Sequence, residues 1–215
     1  MHWGTDHVVT PAKAGVTLIG ALALFGAFAA DLLFEGPVTQ ADPAISAWLH
    51  SHMHPALTQV LFAVTHMHSP IGLSIMSALV AVLLVARKRI HEVPWLMLTV
   101  QGGQILNVGV KDVFQRARPH FDDPLVTLAT YSFPSGHAAG STVFWGFLCM
   151  LAWTWPARQG IRRALLVIAP LVVALTAFSR VYLGAHYFSD VLAGVCEGVA
   201  WVSLCALLRA RTIRA

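Results

Sequence analysis

The chain has 215 residues, of which 57% are hydrophobic and 11% are charged. This length fits a single domain, residues 1–215, and so much apolar surface excludes an ordinary soluble protein and predicts an integral membrane protein. The formal net charge of +4 does not indicate nucleic-acid binding, because most basic residues lie in short clusters between apolar runs.

Six apolar runs predict an all-α bundle of six transmembrane helices, since about 20 apolar residues cross a bilayer. The runs are 14–34, 71–86, 94–114, 136–155, 164–182 and 188–208. The first run could instead be a cleaved signal peptide, because Ala27-Phe28-Ala29 is similar to a small-residue cleavage site. The length of that run and the weakly basic residues before it favour a membrane span.

Between the first two spans, segment 35–69 is more polar and contains two pieces with apolar residues at helical spacing. The first piece is marked by Ile45, Trp48 and Leu49, and the second by Leu57, Val60, Leu61 and Val64. Neither piece is long enough to cross a bilayer. We therefore expect two short interfacial helices here.

Five histidines fall in the same segment: His50, His52, His54, His66 and His68. Their alternating positions do not place three ligands on one helical face, so the pattern favours solvated interfacial side chains over a metal site. The function of this histidine-rich segment stays open.

Polar residues also occur inside two of the later spans. Gln104, Asn107 and Lys111 recur at intervals of three and four, which places them on one face of the third span. Glu197 lies in the sixth span. These side chains could line a substrate cavity, and interhelical hydrogen bonding explains them at least as well.

Charged residues and histidines cluster in three short motifs beside the apolar runs. The first is Lys111, six residues, then Arg118-Pro119; the second is Pro134-Ser135-Gly136-His137; the third runs from Ser179-Arg180 to His186 and Asp190. Ionised side chains cost about 2.5 to 3.5 kcal/mol at bilayer depth, so charges beside spans are candidates for function.

The third motif contains a potential nucleophile. His186 and Asp190 are four residues apart, so the carboxylate can accept a hydrogen bond from one imidazole nitrogen and leave the other free. Considered alone, the motif could equally be a structural Arg180–Asp190 ion pair with a histidine at a helix end. Three cations, Lys111, Arg118 and Arg180, would converge on one membrane face in a bundle, as binding of a phosphoryl group requires.

In this order the three motifs resemble the signature of the type 2 phosphatidic acid phosphatase superfamily, with every specified position present. The resemblance implies that His186 attacks phosphorus and forms a phosphohistidine, that Asp190 orients it, and that His137 protonates the leaving group and later activates water. It further implies a phosphate-binding set without metal or other cofactor: Lys111, Arg118, Ser135, Gly136 and Arg180. Arg116 matches no motif position and is interpreted as a surface or headgroup contact.

The resemblance implies a metal-independent membrane lipid phosphatase of the bacterial branch, whose partners are the bilayer and a phosphorylated lipid. Undecaprenyl diphosphate, phosphatidylglycerophosphate and phosphatidate are the expected substrates. The same residues would serve a lipid phosphotransferase, and a non-catalytic transporter or scaffold is a further alternative that the intact motifs disfavour. Headgroup and tail preference and oligomeric state stay open.

Basic residues also predict the topology. With six spans, ten of the 14 lysines and arginines fall on the side of Lys13, and the other four lie with the motifs on the opposite side. By the positive-inside rule the first side is cytoplasmic. We therefore expect a protein of the bacterial inner membrane with both termini in the cytoplasm and the active site facing the periplasm or exterior.

Overall fold

The fold is described from a computed structural model, which covers residues 10–154 and 159–212. These residues form eight α-helices, a short 3-10 turn at Ile90–Glu92 and no β-strand, which confirms the all-α prediction. The helices are α1 (Pro11–Leu33), α2 (Pro37–Ser51), α3 (Pro55–Met67), α4 (Pro70–Ala86), α5 (Val93–Phe114), α6 (Gly136–Thr154), α7 (Gln159–Tyr182) and α8 (Phe188–Thr212). Position 155 of the predicted fourth span and the basic residues Arg158 and Arg214 lie outside the described residues.

Local sequence accounts for where the first four helices begin. Each starts with a proline at its first position, where the missing N–H has no helical partner and the fixed φ suits a helix. The side chains of Thr10 and Ser69 also accept hydrogen bonds from the first turns of α1 and α4. The short helices expected in segment 35–69 are therefore present as α2 and α3.

Fewer than six of the described helices qualify as membrane-crossing when length and hydropathy are the criteria. Three described helices, α1, α7 and α8, are long and apolar enough, and α3 with α4 qualifies only as a pair bent by 57°. Alone, α4 has 17 residues, and α5 includes Gln101, Gln104, Asn107 and Lys111. The described residues thus contain three or four candidate spans, and six spans stay a prediction.

Helix α8 is the centre of the fold, since it packs against α1, α5, α6 and α7. Its close approach to α6 depends on Gly194, where an added Cβ would lie 2.5 Å from the carbonyl oxygen of Ser135. The backbone of Ser135 in turn donates to the carbonyl oxygen of Asp190 at 2.9 Å. The start of α6 is thereby fixed against the start of α8.

The bundle has two chemically different ends. At one end the loops 115–135 and 183–187 meet, and they contain parts of all three motifs. At the other end Glu92 is buried and accepts hydrogen bonds from Arg89 at 2.9 Å and Arg209 at 2.6 Å. The motifs therefore lie at the end opposite Arg89 and Arg209, in agreement with the separation that the sequence predicts.

Candidate active site

The three motifs converge at one end of the bundle. Arg118 of the first motif donates to the carbonyl oxygen of Ala185 at 2.6 Å, which places it beside the third motif. Lys111 donates to the carbonyl oxygen of Pro134 at 2.6 Å, which joins the first motif to the second. The structure thus brings together the residues that the sequence singles out.

His186 and Asp190 form the predicted pair. The Nδ1 atom of His186 lies 3.4 Å from Oδ2 of Asp190, and both side chains are buried. Nε2 of His186 lies 3.1 Å from Nη1 of Arg118, which can only donate. Nε2 therefore carries the lone pair, the ring proton is on Nδ1 towards the carboxylate, and Nε2 is the atom equipped to act as a nucleophile.

His186 lies in the 183–187 loop, and its surroundings favour the neutral ring. Burial, opposed by the hydrogen bond and the negative charge of Asp190 and reinforced by the charge of Arg118, lowers the pKa of His186 to about 3. An unprotonated imidazole at neutral pH is the form that can attack an electrophile.

Two of the three predicted phosphate-binding cations use all their donors in hydrogen bonds within the protein. The Nζ atom of Lys111 donates to the carbonyl oxygens of Tyr131, Ser132 and Pro134 at 2.8, 3.2 and 2.6 Å, which uses its three donors. Lys111 therefore contributes positive charge and shapes the loop that precedes α6.

Arg118 likewise has a complete set of partners, contributed by the third motif and by the loop before the second. Besides Ala185 and His186, it donates to the carbonyl oxygens of Thr130 and Tyr131 and to the Thr130 hydroxyl. Binding of a substrate oxygen by Arg118 thus requires exchange of one of these acceptors.

Arg180 is different, because part of its guanidinium is unpartnered. The side chain is 2% exposed, and Nη1 donates to the Thr65 hydroxyl at 2.6 Å. Nε and Nη2 are buried without a hydrogen-bond partner among the described residues. The hydroxyl of Ser135 is also buried and unpartnered there. Buried donors of this kind are costly unless an acceptor such as an anion binds them.

The second motif starts α6. Ser135 accepts the first helical hydrogen bond of α6 from Ala139 at 3.0 Å, so it is the residue before the helix. Gly136 follows, and an added Cβ there would lie 2.9 Å from Oδ1 of Asn107. His137 is half-buried, makes no hydrogen bond within the described part of the chain, and lies near enough to Arg180 and His186 to respond to their charges.

The interpretation of Arg116 as a surface or headgroup contact is wrong. Its side chain is 10% exposed, and its two terminal nitrogens donate to Asp190 Oδ1 at 2.6 Å and to Asp42 Oδ2 at 2.8 Å. Burial alone would lower the pKa of Arg116, but the carboxylates of Asp190 and Asp42 raise it. The absence of a motif match gave no indication of these contacts, because Arg116 follows the end of α5 at Phe114, where its side chain turns inwards.

Apart from Lys111, the polar residues that the sequence predicts in the third and sixth spans bond to one another or within their own helix. Asn107 donates to Oε2 of Glu197 at 2.7 Å, which makes this pair an interhelical hydrogen bond, and Gln104 donates to Gln101 on its own helix at 3.1 Å. An interhelical role is thus confirmed for Asn107 and Glu197, whereas Gln104 bonds within α5.

The histidine-rich segment is dispersed in the structure. His50 contacts Asp123 at 2.9 Å, and His68 accepts from the Trp145 indole at 3.2 Å. The rings of His52 and His66 bond to carbonyl oxygens of their own helices. Within residues 10–154 and 159–212, no three His, Cys, Asp or Glu side chains are grouped to hold a metal ion.

Comparison with known proteins identifies relatives over most of the chain. A family model described as "PAP2 superfamily" matches residues 92–214. The phosphatidylglycerophosphatase B of Bacillus subtilis (strain 168) is 32% identical over 184 residues, which cover 83% of this chain and 88% of that protein.

Solved structures share the fold. The crystal structure of a transmembrane PAP2-type phosphatidylglycerolphosphate phosphatase from Bacillus subtilis superposes with a TM-score of 0.81 and 27% identity, over 91% of this chain and 96% of that one. The crystal structure of Aquifex aeolicus LpxE superposes with a TM-score of 0.59 and 22% identity, over 78% and 93%. At 22% identity, the similarity to LpxE shows a shared fold only.

Proposed function

The chain belongs to the PAP2 superfamily, and from that premise we propose that it is a metal-independent membrane lipid phosphatase that works through a phosphohistidine. The observation that carries the proposal is the set of buried, unpartnered donors on Arg180 and Ser135 in the site of His186. A phosphoryl group offers several acceptor oxygens to such donors, and its negative charge compensates the buried guanidinium.

In the first step the Nε2 lone pair of His186 attacks phosphorus as the bond from phosphorus to the lipid oxygen breaks. His137 donates its proton to that oxygen, and the lipid alcohol leaves. Asp190 stabilises the positive charge on the ring through Nδ1–H. Arg118, now hydrogen-bonded to Nε2, would transfer its donor to a phosphate oxygen.

In the second step water completes the hydrolysis. His137 accepts a proton from the water, the water oxygen attacks phosphorus, and the phosphorus–nitrogen bond breaks. The electron pair returns to Nε2 of His186, inorganic phosphate leaves, and His137 ends protonated for the next cycle. Every proton in this scheme is exchanged among the lipid oxygen, water and His137.

For the substrate we propose phosphatidylglycerophosphate first, supported by the names of the Bacillus subtilis relatives. Undecaprenyl diphosphate and phosphatidate are the comparison substrates. The site lies at the end of the bundle opposite Arg89 and Arg209 of the basic clusters. This separation supports an outward-facing site with cytoplasmic termini, which we propose together with the six-span topology.

The test measures inorganic phosphate released by detergent-solubilised protein in excess EDTA, from these three lipids and a water-soluble phosphomonoester. We expect EDTA-resistant release that is lost in His186→Ala and retained in His66→Ala, because His66 is an exposed histidine outside the site. Full activity of His186→Ala would refute the nucleophile. Loss of wild-type activity with EDTA would refute metal independence, and no release from any substrate would refute the phosphatase.

A further inference from the structure

Arg116 connects two buried carboxylates. Its Nη1 donates to Asp190 Oδ1 at 2.6 Å and to the Ser189 hydroxyl at 2.7 Å, and its Nη2 donates to Asp42 Oδ2 at 2.8 Å. The guanidinium also lies over the ring of Tyr187, 4.3 Å from its centroid. A planar guanidinium held on both sides and stacked on a ring has little freedom to move.

Asp42 links this arrangement to α2. Its side chain is completely buried, and besides Arg116 it accepts hydrogen bonds from the backbone N–H of Ser189 at 3.0 Å and from the Ser189 hydroxyl. Ser189 is the second residue of α8, and Asp190 is the third. Asp42 thus holds both Arg116 and the helix start that presents Asp190.

The two oxygens of Asp190 have separate partners. Oδ1 accepts from Arg116, whereas Oδ2 accepts from the Ser132 hydroxyl and the Tyr187 backbone at 2.9 Å and faces His186. Rotation of the carboxylate would break the charge-assisted bond to Arg116, which is among the stronger kinds of hydrogen bond. Arg116 therefore keeps Oδ2 directed at the imidazole.

We propose that Asp42 and Arg116 form a positioning pair that holds Asp190 so that the nucleophilic histidine keeps its proton on Nδ1 and its lone pair on Nε2. The pair does not touch the reacting atoms, and this inference rests on the proposed function. It assigns part of the active-site support to α2, which the sequence predicts only as an interfacial helix.

The experiment compares Asp42→Asn, Arg116→Gln and the double variant with Glu92→Gln. Glu92→Gln is the matched control, since Glu92 is also a buried carboxylate bonded to guanidinium groups, at the opposite end of the bundle. We expect kcat for phosphate release to fall about tenfold or more in each single variant, because Asp190 is then no longer held against His186. A tenfold fall corresponds to a loss of ~1.4 kcal/mol in transition-state stabilisation, and KM should change little because the pair does not contact the substrate. Glu92→Gln should lose thermal stability only.

The double variant tests whether Asp42 acts through Arg116. If it does, the double variant has about the kcat of Arg116→Gln alone, because residues that act as a unit are non-additive. If the two single effects on kcat multiply in the double variant, Asp42 does not act through Arg116 and the proposed positioning pair is overturned. If Asp42→Asn has a normal kcat and a lowered unfolding midpoint, the pair contributes to stability only, and the proposal is overturned.

A second readout does not depend on turnover. In protein labelled with 15N-histidine, the His186 signals are identified by their loss in His186→Asn. We expect an Nδ1–H tautomer in the wild type and a mixture of tautomers in Asp42→Asn and Arg116→Gln. If the wild type releases no phosphate, the proposed function fails while this spectrum still tests the pair. Unchanged tautomers in both variants would overturn the positioning role.

Discussion

At the scale of single residues, the site is defined by charge that is buried without full compensation. Arg180 is 2% exposed and Asp190 is fully buried. Asp190 accepts hydrogen bonds from Arg116, the Ser132 hydroxyl and the Tyr187 backbone and also faces His186, whereas the side chain of Arg180 has one hydrogen-bond partner among the described residues, Thr65. Burying an unpaired ionic group is strongly unfavourable. This imbalance is expected of a binding site that an anion completes, and a structural ion pair between Arg180 and Asp190 would not produce it.

The buried histidine has a consequence for stability. The folded pKa of His186, about 3, lies below the ~6.5 of an unfolded histidine. The unfolded chain therefore binds more protons at His186 as the pH falls below 6.5, and stability decreases by up to ~1.4 kcal/mol per pH unit for this group until the folded pKa is reached. We expect the unfolding midpoint in detergent to fall more steeply between pH 6.5 and 4.5 for the wild type than for His186→Asn.

The comparison of slopes isolates this residue, because both proteins share every other titrating group. Asparagine retains a polar side chain without titrating in this range. Identical slopes in the two proteins would show that His186 is not held neutral by burial.

At the scale of elements, α3 contributes to the site through one hydroxyl. Thr65 is 4% exposed and accepts the hydrogen bond from Nη1 of Arg180 at 2.6 Å. Thr65→Val keeps the shape but removes this acceptor, and a hydrogen bond to a charged group is worth about 1.5 to 3 kcal/mol. We expect the KM for phosphatidylglycerophosphate to rise about tenfold or more, with a smaller change in kcat.

Thr176→Val is the matched control for this variant. Thr176 is fully buried on α7, the helix that carries Arg180, and its hydroxyl has no hydrogen-bond partner among the described residues. The same substitution there removes no bond to the site, so KM should stay at the wild-type value. Equal effects of the two substitutions would mean that Thr65 acts on packing and not on Arg180.

The elements themselves were largely predictable, because apolar runs and motif boundaries are local properties of the sequence. The predicted spans 71–86 and 94–114 differ from α4 and α5 by one residue at their starts. The pairing of His186 with Asp190 agrees with their spacing of four residues, although His186 lies in the loop before α8 and not on that helix. The contacts of Asp42 and Thr65 could not be predicted in this way, since their partners Arg116 and Arg180 are 74 and 115 positions away.

One signal for Asp42 was nevertheless present in the sequence. Asp42 lies three and seven residues before Ile45 and Leu49, so it shares the apolar face of α2 that packs against Ala138 and Val191. An acid on the buried face of a helix requires a partner. That reasoning identifies Asp42 as a residue of interest, but only the fold identifies the partner as Arg116.

At the scale of the whole molecule, the candidate active site and a cluster of basic residues lie at opposite ends of the helix bundle. The site occupies the end formed by the loops 115–135 and 183–187, and the Arg89–Glu92–Arg209 cluster occupies the other. A membrane protein with this separation can keep basic residues on the cytoplasmic side while it acts on lipid in the opposite leaflet. By length and hydropathy, three or four spans are present among the described residues, compared with the six that the sequence predicts.

The proposed topology is tested with single cysteines at the two ends. In a background without Cys149, Cys196 and Cys205, Asp122→Cys places a thiol on the exposed site loop and Lys88→Cys places one at the exposed basic end. In intact bacterial cells we expect a membrane-impermeant thiol reagent to label Asp122→Cys and to label Lys88→Cys only after permeabilisation, because six spans with cytoplasmic termini place the loop after the third span outside and the loop after the second span inside. Phosphate release by both variants controls for folding. The reverse pattern would place the site in the cytoplasm, and labelling of both in intact cells would contradict a fixed orientation.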